Sequence, residues 1–277
     1  MRALLIGADG MLGRAWAALL RSEAIEHDTV VYPGVDFTRP QTLDAIAWDR
    51  FDTVINCAAW TDVDGAEAHE AEATAVNGAG ARAVAERRSP SAVLVHYSTD
   101  YVFAGAGAEP YRVDAPLQPV NAYGRSKAAG EQAVREVGGP YLLLRTSWLY
   151  APWGHNFVRT MVKLGRQRSE MRVVDDQRGR PTSAQHLARA SLALLRRSAR
   201  GTLHVTDGGS CTWYELARAT LARAAPSCRV EPCTTAEFPR PAKRPAYSVL
   251  DLAPTEAILG PMPPWPNNLA AVLEQIE

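Results

Sequence analysis

The chain predicts an α/β fold: a doubly wound, mostly parallel sheet with a smaller C-terminal lobe. Three observations predict it. Short apolar runs of strand type alternate with helical patterns from Ala3 to Thr146, and such alternation implies a parallel sheet covered on both faces. A glycine-rich turn, Gly7 to Gly13, joins the first apolar run to the first helical pattern. Beyond Trp148 glycine and proline punctuate short segments, the texture of an irregular lobe.

Ala3–Ile6 is the first strand, and Leu12, Ala15, Trp16, Leu19 and Leu20 then recur at helical spacing. Strand, glycine turn and helix open a Rossmann-like dinucleotide-binding unit. Its glycines let the backbone approach a pyrophosphate, whose charge the helix N-terminus stabilises. Here they are spaced G-x-x-G-x-x-G. Thr29–Tyr32 and Thr53–Asn56 read as the second and third strands, with a short helix over Gln41–Trp48 between them. The alanine-rich stretch Glu70–Arg88 is helical in pattern, Ser91–Tyr97 is a β-branched strand, and Tyr141–Thr146 is another. In the second lobe, helical patterns cover Asn156–Gly165, Ala184–Leu195 and Trp213–Arg223, while Gly201–Val205 is strand-like and returns to the sheet. The expected division is a dinucleotide-binding domain over 1–148, with returning segments near 183–207, and a mainly substrate-binding lobe over 149–277.

Composition narrows the function. The chain is 47% hydrophobic and 22% charged, as a soluble globular protein is. Thirty acidic residues balance thirty basic ones, so no global field favours nucleic acid or an anionic membrane. No apolar run approaches the roughly 20 residues of a membrane-spanning helix, and the N-terminus is too short in apolar residues for a signal peptide. Cys57, Cys211, Cys228 and Cys233 form neither a C-x-x-C pair nor a dense framework, which points to a reducing, cytoplasmic setting.

In open parallel sheets ligands bind beyond the carboxyl ends of the strands. Gly7–Gly13, Cys57–Thr61 and Ser98–Asp100 lie there. Tyr123 and Lys127 are four residues apart, hence on one helix face. A phenol titrates at about 10 and is a poor acid until a neighbouring ammonium stabilises its anion, so the pair makes a candidate acid–base device. His96 points from a strand and reads as a buried, satisfied histidine. Lys243 and Arg244 suit either a diphosphate or a solvated loop. No metal-ligand spacing is present.

Taken together, Gly7–Gly13, Ser98–Asp100 and Tyr123/Lys127 resemble an extended short-chain dehydrogenase/reductase. The motifs Asn-Cys-Ala-Ala-Trp-Thr-Asp-Val-Asp (Asn56–Asp64) and His-Tyr-Ser-Thr-Asp-Tyr-Val-Phe (His96–Phe103) resemble those of the dTDP-4-dehydrorhamnose reductase family. So do Arg145–Tyr150, Asn156–Phe157, Asp176–Thr182 and Arg244–Leu250. The resemblance implies reduction, by NADPH or NADH, of the 4-keto group of a dTDP-linked 6-deoxysugar. It implies that Tyr123 donates a proton to the developing alkoxide. Lys127 would hold the nicotinamide ribose and lower the phenol's pKa, while Thr99 hydrogen-bonds the carbonyl. By the same resemblance Met11 and Leu12 line the pyrophosphate turn with Gly7, Gly10 and Gly13. Asp36 and Phe37 flank the adenine, and Ala58, Ala59 and Thr61 border the cofactor. Val63, Asp100 and Trp148 join Thr99 on the substrate side.

The sequence also departs from the family's pattern. Members that dimerise through a bridging magnesium use glutamates where this chain has Ala15 and Gln185, so a monomer without that bridge is expected. Gly65 stands where a lysine is common, and Val113 where a glutamate is. The second strand ends in Val31–Gly34, with neither an acid for a free ribose nor an arginine for a 2′-phosphate, which leaves NADH and NADPH both open. Two other readings stay in view: a 4-ketoreductase for another nucleotide-linked deoxysugar, and a regulatory subunit that binds the cofactor without reducing a sugar.

Overall fold

The computed structural model describes residues 1–276. Strand β1 (Arg2–Ile6) leads through the glycine turn into α1 (Met11–Ser22) and back to β2 (Glu26–Val30). β3 (Thr53–Asn56) precedes α2 (Gly65–Ala68), α3 (Glu70–Thr74) and, across a π-helical segment at Ala75–Ala79, α4 (Gly80–Arg87). β4 (Val93–Thr99), α5 (Ala122–Val137) and β5 (Tyr141–Thr146) complete the first half. Then come β6 (Leu149–Tyr150), α6 (Phe157–Gly165), β7 (Glu170–Val174), β8 (Arg178–Gly179) and β9 (Thr182–Ser183). α7 (Ala184–Arg196), β10 (Gly201–His204), β11 (Cys211–Thr212), α8 (Trp213–Ala224), β12 (Arg229–Cys233), α9 (Ala253–Leu259) and α10 (Trp265–Leu273) follow.

β10, β5, β4, β3, β1 and β2 lie side by side in that order, and every pair is parallel. The chain runs outward from β1 to β2 and then crosses to β3 on the other side of β1. That reversal is the switch point where such sheets bind ligands. Register brings the relevant ends together: Ile6 pairs with Val30 and Asn56, Asn56 with His96, and Thr99 with Thr146.

Alternation along the strands splits the core in two. Leu5, Ile55, Val95, Leu142 and Leu144 pack against Trp16 and Leu20 of α1 and Leu187 and Leu194 of α7. Leu4, Ile6, Val54, Leu94 and Leu143 pack on the other face against Val84 of α4 and Val134 of α5. α7 and β10 thus belong to the sheet, although they follow the first segments of the second lobe. That lobe keeps its own clusters, one joining Met161, Met171, Leu221 and Ala225. Among the described residues, no helix is long and apolar enough to cross a membrane.

Two elements differ from expectation. β2 ends at Val30 and begins at Glu26, because Ile6, the last residue of β1, gives the ladder its last partner. It is an edge strand whose Glu26, His27 and Asp28 carry no apolar alternation. The helix expected over Gln41–Trp48 is two 3₁₀ turns, Pro40–Ala45 and Trp48–Arg50, each closed by i to i+3 bonds around a proline or a tryptophan.

Candidate active site

A single cavity of about 1340 Å³ runs along the carboxyl ends of β1, β3 and β4 and continues under the C-terminal lobe. Gly7, Gly10, Met11 and Leu12 form its floor, Phe37, Ala58, Ala59 and Thr61 one wall, and Thr99, Tyr123, Lys127, Val63 and Trp148 the far end.

The glycine turn is shaped for close backbone approach. Gly7 sits at φ +76°, where a side chain is strained, and a Cβ there would lie 2.7 Å from the Ala58 nitrogen. A Cβ on Gly13 would lie 1.9 Å from the Gly7 carbonyl oxygen, so the helix can rest on the turn only with glycine there. Gly10 has an ordinary φ of −69° and begins α1 without a side-chain cap or a first-turn acid. The free amides of that helix start are left to whatever anion enters. This cradle, with the apolar wall beside it, fits a dinucleotide pyrophosphate and its adenine arm. Behind it the Trp153 indole donates to the Met11 carbonyl at 3.0 Å and braces the turn.

Asp36 and Phe37 part company. Phe37 lines the cavity and presses on α4, where a Cβ on Gly80 would meet its ring at 2.5 Å. Asp36 is buried and faces its own chain, accepting from the Thr38 amide, the Thr38 hydroxyl and the Arg39 guanidinium. Those donors hold its carboxyl below the usual range, the Thr38 hydroxyl foremost. It is not among the cavity-lining residues.

Tyr123 and Lys127 stand on the inner face of α5, and the sequence explains why that helix starts and stays there. Asn121 caps it, its side-chain oxygen accepting from the Gly124 amide at 2.7 Å. One turn beyond Lys127, the fully buried Glu131 accepts a two-armed bond from Arg145 of β5 at 2.7 and 2.8 Å. On the neighbouring face, Asn77 of the π segment donates to the Ser126 hydroxyl and the Trp60 carbonyl and accepts from the Trp60 amide. The π segment thereby ties the loop bearing Ala58, Ala59 and Thr61 to the helix bearing Tyr123.

Lys127 is buried, and its ammonium donates to the Tyr97 carbonyl at 2.6 Å. Burial pulls it down to about 8, with Glu131 opposing. Tyr123 is pushed up, by burial first and by the Asp100 carboxylate next, while the Thr99 hydroxyl pulls it back only in part. The expected depression of Tyr123 by Lys127 is therefore not a property of this state, in which the ammonium is turned to Tyr97. A phenol held up keeps its proton at neutral pH, as a donor must.

Trp148 follows β5 in a left-handed conformation, φ +47°. Its ring lies flat on Trp213, centroids 3.6 Å apart, and Gly179 leaves it room: a Cβ there would lie 2.6 Å from the indole. Thr99 lines the cavity at the end of β4. Asp100, expected beside the substrate, lies behind Thr99, 2% exposed and outside the cavity lining. The short 3₁₀ turn Asp100–Val102 turns it inward. His96 is buried beside Asn56 as expected, its burial holding it neutral, but it is only half satisfied: Nδ1 meets the Asn56 amide at 3.3 Å, while Nε2 has no hydrogen-bond partner among the described residues.

Further residues line the cavity: Arg244, which the sequence leaves open between a diphosphate and a solvated loop, Asp64 and Phe157, which stand in family-like motifs without an assigned role, and Arg240 and Trp213, which carry no site signal of their own. Asp64 of the loop after β3 pairs with Arg240 and Arg244 from the C-terminal lobe, the Arg244 pair at 3.0 Å. Arg240 and Arg244 both line the cavity, whereas Lys243 is exposed. Trp213 and Phe157 join them from α8 and α6. Spacing could not have joined them, because Asp64 and Arg240 stand 176 positions apart. Among the described residues, no group of three or more His, Cys, Asp or Glu side chains is set to hold a metal ion.

A parallel sheet with its glycine turn at the switch point, and a Tyr-x-x-x-Lys pair beside a threonine at the next strand end, define an extended short-chain dehydrogenase/reductase. The family described as "RmlD substrate binding domain" matches residues 1–277, and the chain belongs to that family. It is 44% identical over 275 residues to a protein of Streptomyces niveus named dTDP-4-keto-6-deoxy-D-glucose reductase, covering 97% of this chain and 95% of that one. It is 42% identical over 272 residues to a dTDP-4-dehydrorhamnose reductase of Burkholderia thailandensis, covering 90% of each. Among solved structures it superposes on a dTDP-4-dehydrorhamnose reductase of Bacillus anthracis in complex with NADP. There the TM-score is 0.94 at 37% identity, with 99% of both chains covered.

Proposed function

We propose that this protein is an NAD(P)H-dependent oxidoreductase that reduces the 4-keto group of a dTDP-4-dehydro-6-deoxysugar. dTDP-4-dehydro-L-rhamnose, giving dTDP-L-rhamnose, is the foremost substrate. The observation that carries this reading is the meeting of Gly7, Gly10, Thr99, Tyr123, Lys127 and Trp148 on one cavity. A nicotinamide dinucleotide, when bound, supplies the hydride. The chain's own residues supply position and protons. Gly7–Gly13 and the start of α1 hold the pyrophosphate, Phe37 with Ala58 the adenine side, and Thr61 and Ala59 the span between. Lys127 meets the ribose with the protons not given to Tyr97. Tyr123 gives its proton to the carbonyl oxygen, and Thr99 steadies that oxygen as charge develops. Arg240 and Arg244 place positive charge where the sugar's diphosphate enters. Residues 1–148 with 183–207 serve the cofactor and the rest of the chain the sugar nucleotide. All four cysteines are free, in keeping with a cytoplasmic setting.

The similarity to the Streptomyces niveus protein supports a second reading, in which the substrate is a different dTDP-4-keto-6-deoxysugar. The face of hydride delivery depends on how Trp148, Val63 and the arginines orient the ring. NADPH and NADH oxidation with each 4-keto sugar, followed by NMR of the product, tests both readings. Absence of turnover with every dTDP-4-keto sugar would overturn the reductase assignment.

A further inference from the structure

We infer that Asp100 is a positioning residue: its carboxyl, by holding or releasing a proton, decides which way the Thr99 hydroxyl points, and so whether Thr99 can donate to the substrate oxygen. The inference rests on the reductase reading, and it follows from counting protons.

A threonine hydroxyl has one proton and two lone pairs. The Tyr101 amide donates to the Thr99 oxygen at 3.2 Å, which uses one lone pair. The Thr99 hydroxyl lies 2.9 Å from Oδ1 of Asp100 and donates to it. While Asp100 is ionised, that bond holds the only proton of Thr99. The hydroxyl then shows the cavity a lone pair, the wrong sign for an oxygen gaining negative charge. With a proton on Asp100 the bond reverses. The acid donates to Thr99, both lone pairs of Thr99 are used, and its own proton is free to point into the cavity, toward the side where the Tyr123 hydroxyl stands.

The surroundings of Asp100 favour such a proton. The residue is 2% exposed, and Oδ2 is buried with no well-formed hydrogen bond among the described residues, the Ser248 hydroxyl facing the carboxyl without closing one. A carboxylate oxygen left bare out of water is costly, and protonation removes part of that cost. Burial accordingly raises the carboxyl to about 6, against the pull of Ser248 and Thr99. The groups facing it are Tyr101 on its own turn, Tyr123 from α5 and Ser248 from the loop after β12. Beyond them, Arg244 lies over the Tyr101 ring and pairs with Asp64. No proton is consumed at Asp100 in turnover, since the one that ends on the product oxygen comes from Tyr123.

The test is kcat against pH, at saturating NADPH and 4-keto sugar, for wild type, Asp100→Asn, Thr99→Val and the double variant. The expected wild-type rate falls as pH rises through about 6, by tenfold or more and at most the roughly 10²–10³ that one oxyanion donor is worth. Asp100→Asn presents a permanent amide donor to Thr99, so this step in the profile should vanish. In the Thr99→Val background, Asp100→Asn should change nothing, because the residue acts through that hydroxyl. An Asp100→Asn profile that keeps the wild-type step, or an equal effect with and without Thr99, would overturn the inference. Infrared difference spectra of the NADPH-bound protein between acid and neutral pH give an arm that needs no turnover. A protonated-carboxyl band should appear in wild type and be missing in Asp100→Asn. Its absence from wild type sinks the proposal even if the variant fails to fold. A wild type that shows the band yet turns over no 4-keto sugar upholds the Asp100 proton and overturns the reductase reading instead.

Discussion

At the scale of single residues, the chemistry depends on which groups carry protons at neutral pH. Tyr123→Phe removes one hydroxyl and leaves the ring packed edge-on against Tyr101. We expect kcat to fall by roughly 10²–10⁴, the usual contribution of a positioned acid, with NADPH affinity retained in calorimetry. Turnover near wild type would remove the central assignment. Lys127 has its own signature. Its folded pKa is pulled down to about 8, so the ammonium is present below that pH and lost above it. kcat/KM should therefore decline above about pH 8, separately from any step at Asp100, and a profile flat to pH 10 would contradict this. The sequence announces Tyr123, Lys127 and Thr99 because local spacing and strand ends determine where they lie. It is silent on the depth at which Lys127 and Asp100 are buried, since that depends on distant segments: Lys127 reaches the end of β4 at Tyr97, and Asp100 faces Ser248 of the C-terminal lobe.

At the scale of elements, the glycines separate two requirements that look alike in sequence. A Cβ on Gly13 collides with the Gly7 carbonyl, so Gly13→Val tests the fold. A Cβ on Gly10 meets only the Gly7 oxygen, at 3.4 Å, an ordinary contact. Gly10→Val should fold and yet bind NADPH far more weakly, because only an incoming pyrophosphate would meet the new side chain. Unchanged affinity in a folded Gly10→Val protein would refute the turn's role. α5 depends on the buried Glu131–Arg145 pair, and breaking such a pair costs about 3–5 kcal/mol. Arg145→Met should lower stability to denaturant by that order, and a loss below about 1 kcal/mol would show the anchor to be unimportant. Gly179→Ala drives a methyl into Trp148. It should raise the KM for the sugar nucleotide while cofactor affinity holds, and equal loss of both would show that the tryptophan wall is not specific to the sugar. Of this wall Trp148 alone was legible, as a substrate-side residue; Gly179 and Trp213 were not, because the pairing of β8 with β11 is what brings those two together.

At the scale of the whole molecule, alternating strands and helices sufficed to read the parallel sheet, and the return of Gly201–His204 beside β5 follows the expected strand. The bridge between lobes was hidden, since Asp64 and Arg240 stand 176 positions apart and neither has a periodic signal. That bridge joins the sheet's loops to the C-terminal lobe within one chain. A second copy bridged by a divalent ion is not expected. Ala15 is buried in α1 beneath α7 and has no ligating atom. Gln185 begins α7 with its amide given to Gln275 at 3.1 Å. Magnesium takes oxygen ligands in near-octahedral geometry and favours carboxylates, and here one position offers no oxygen and the other only an uncharged amide. We therefore expect the same sedimentation coefficient in magnesium and in chelator, at every protein concentration tested. A dimer that dissociates only when magnesium is removed would require carboxylates elsewhere on the surface to take the place of those two residues.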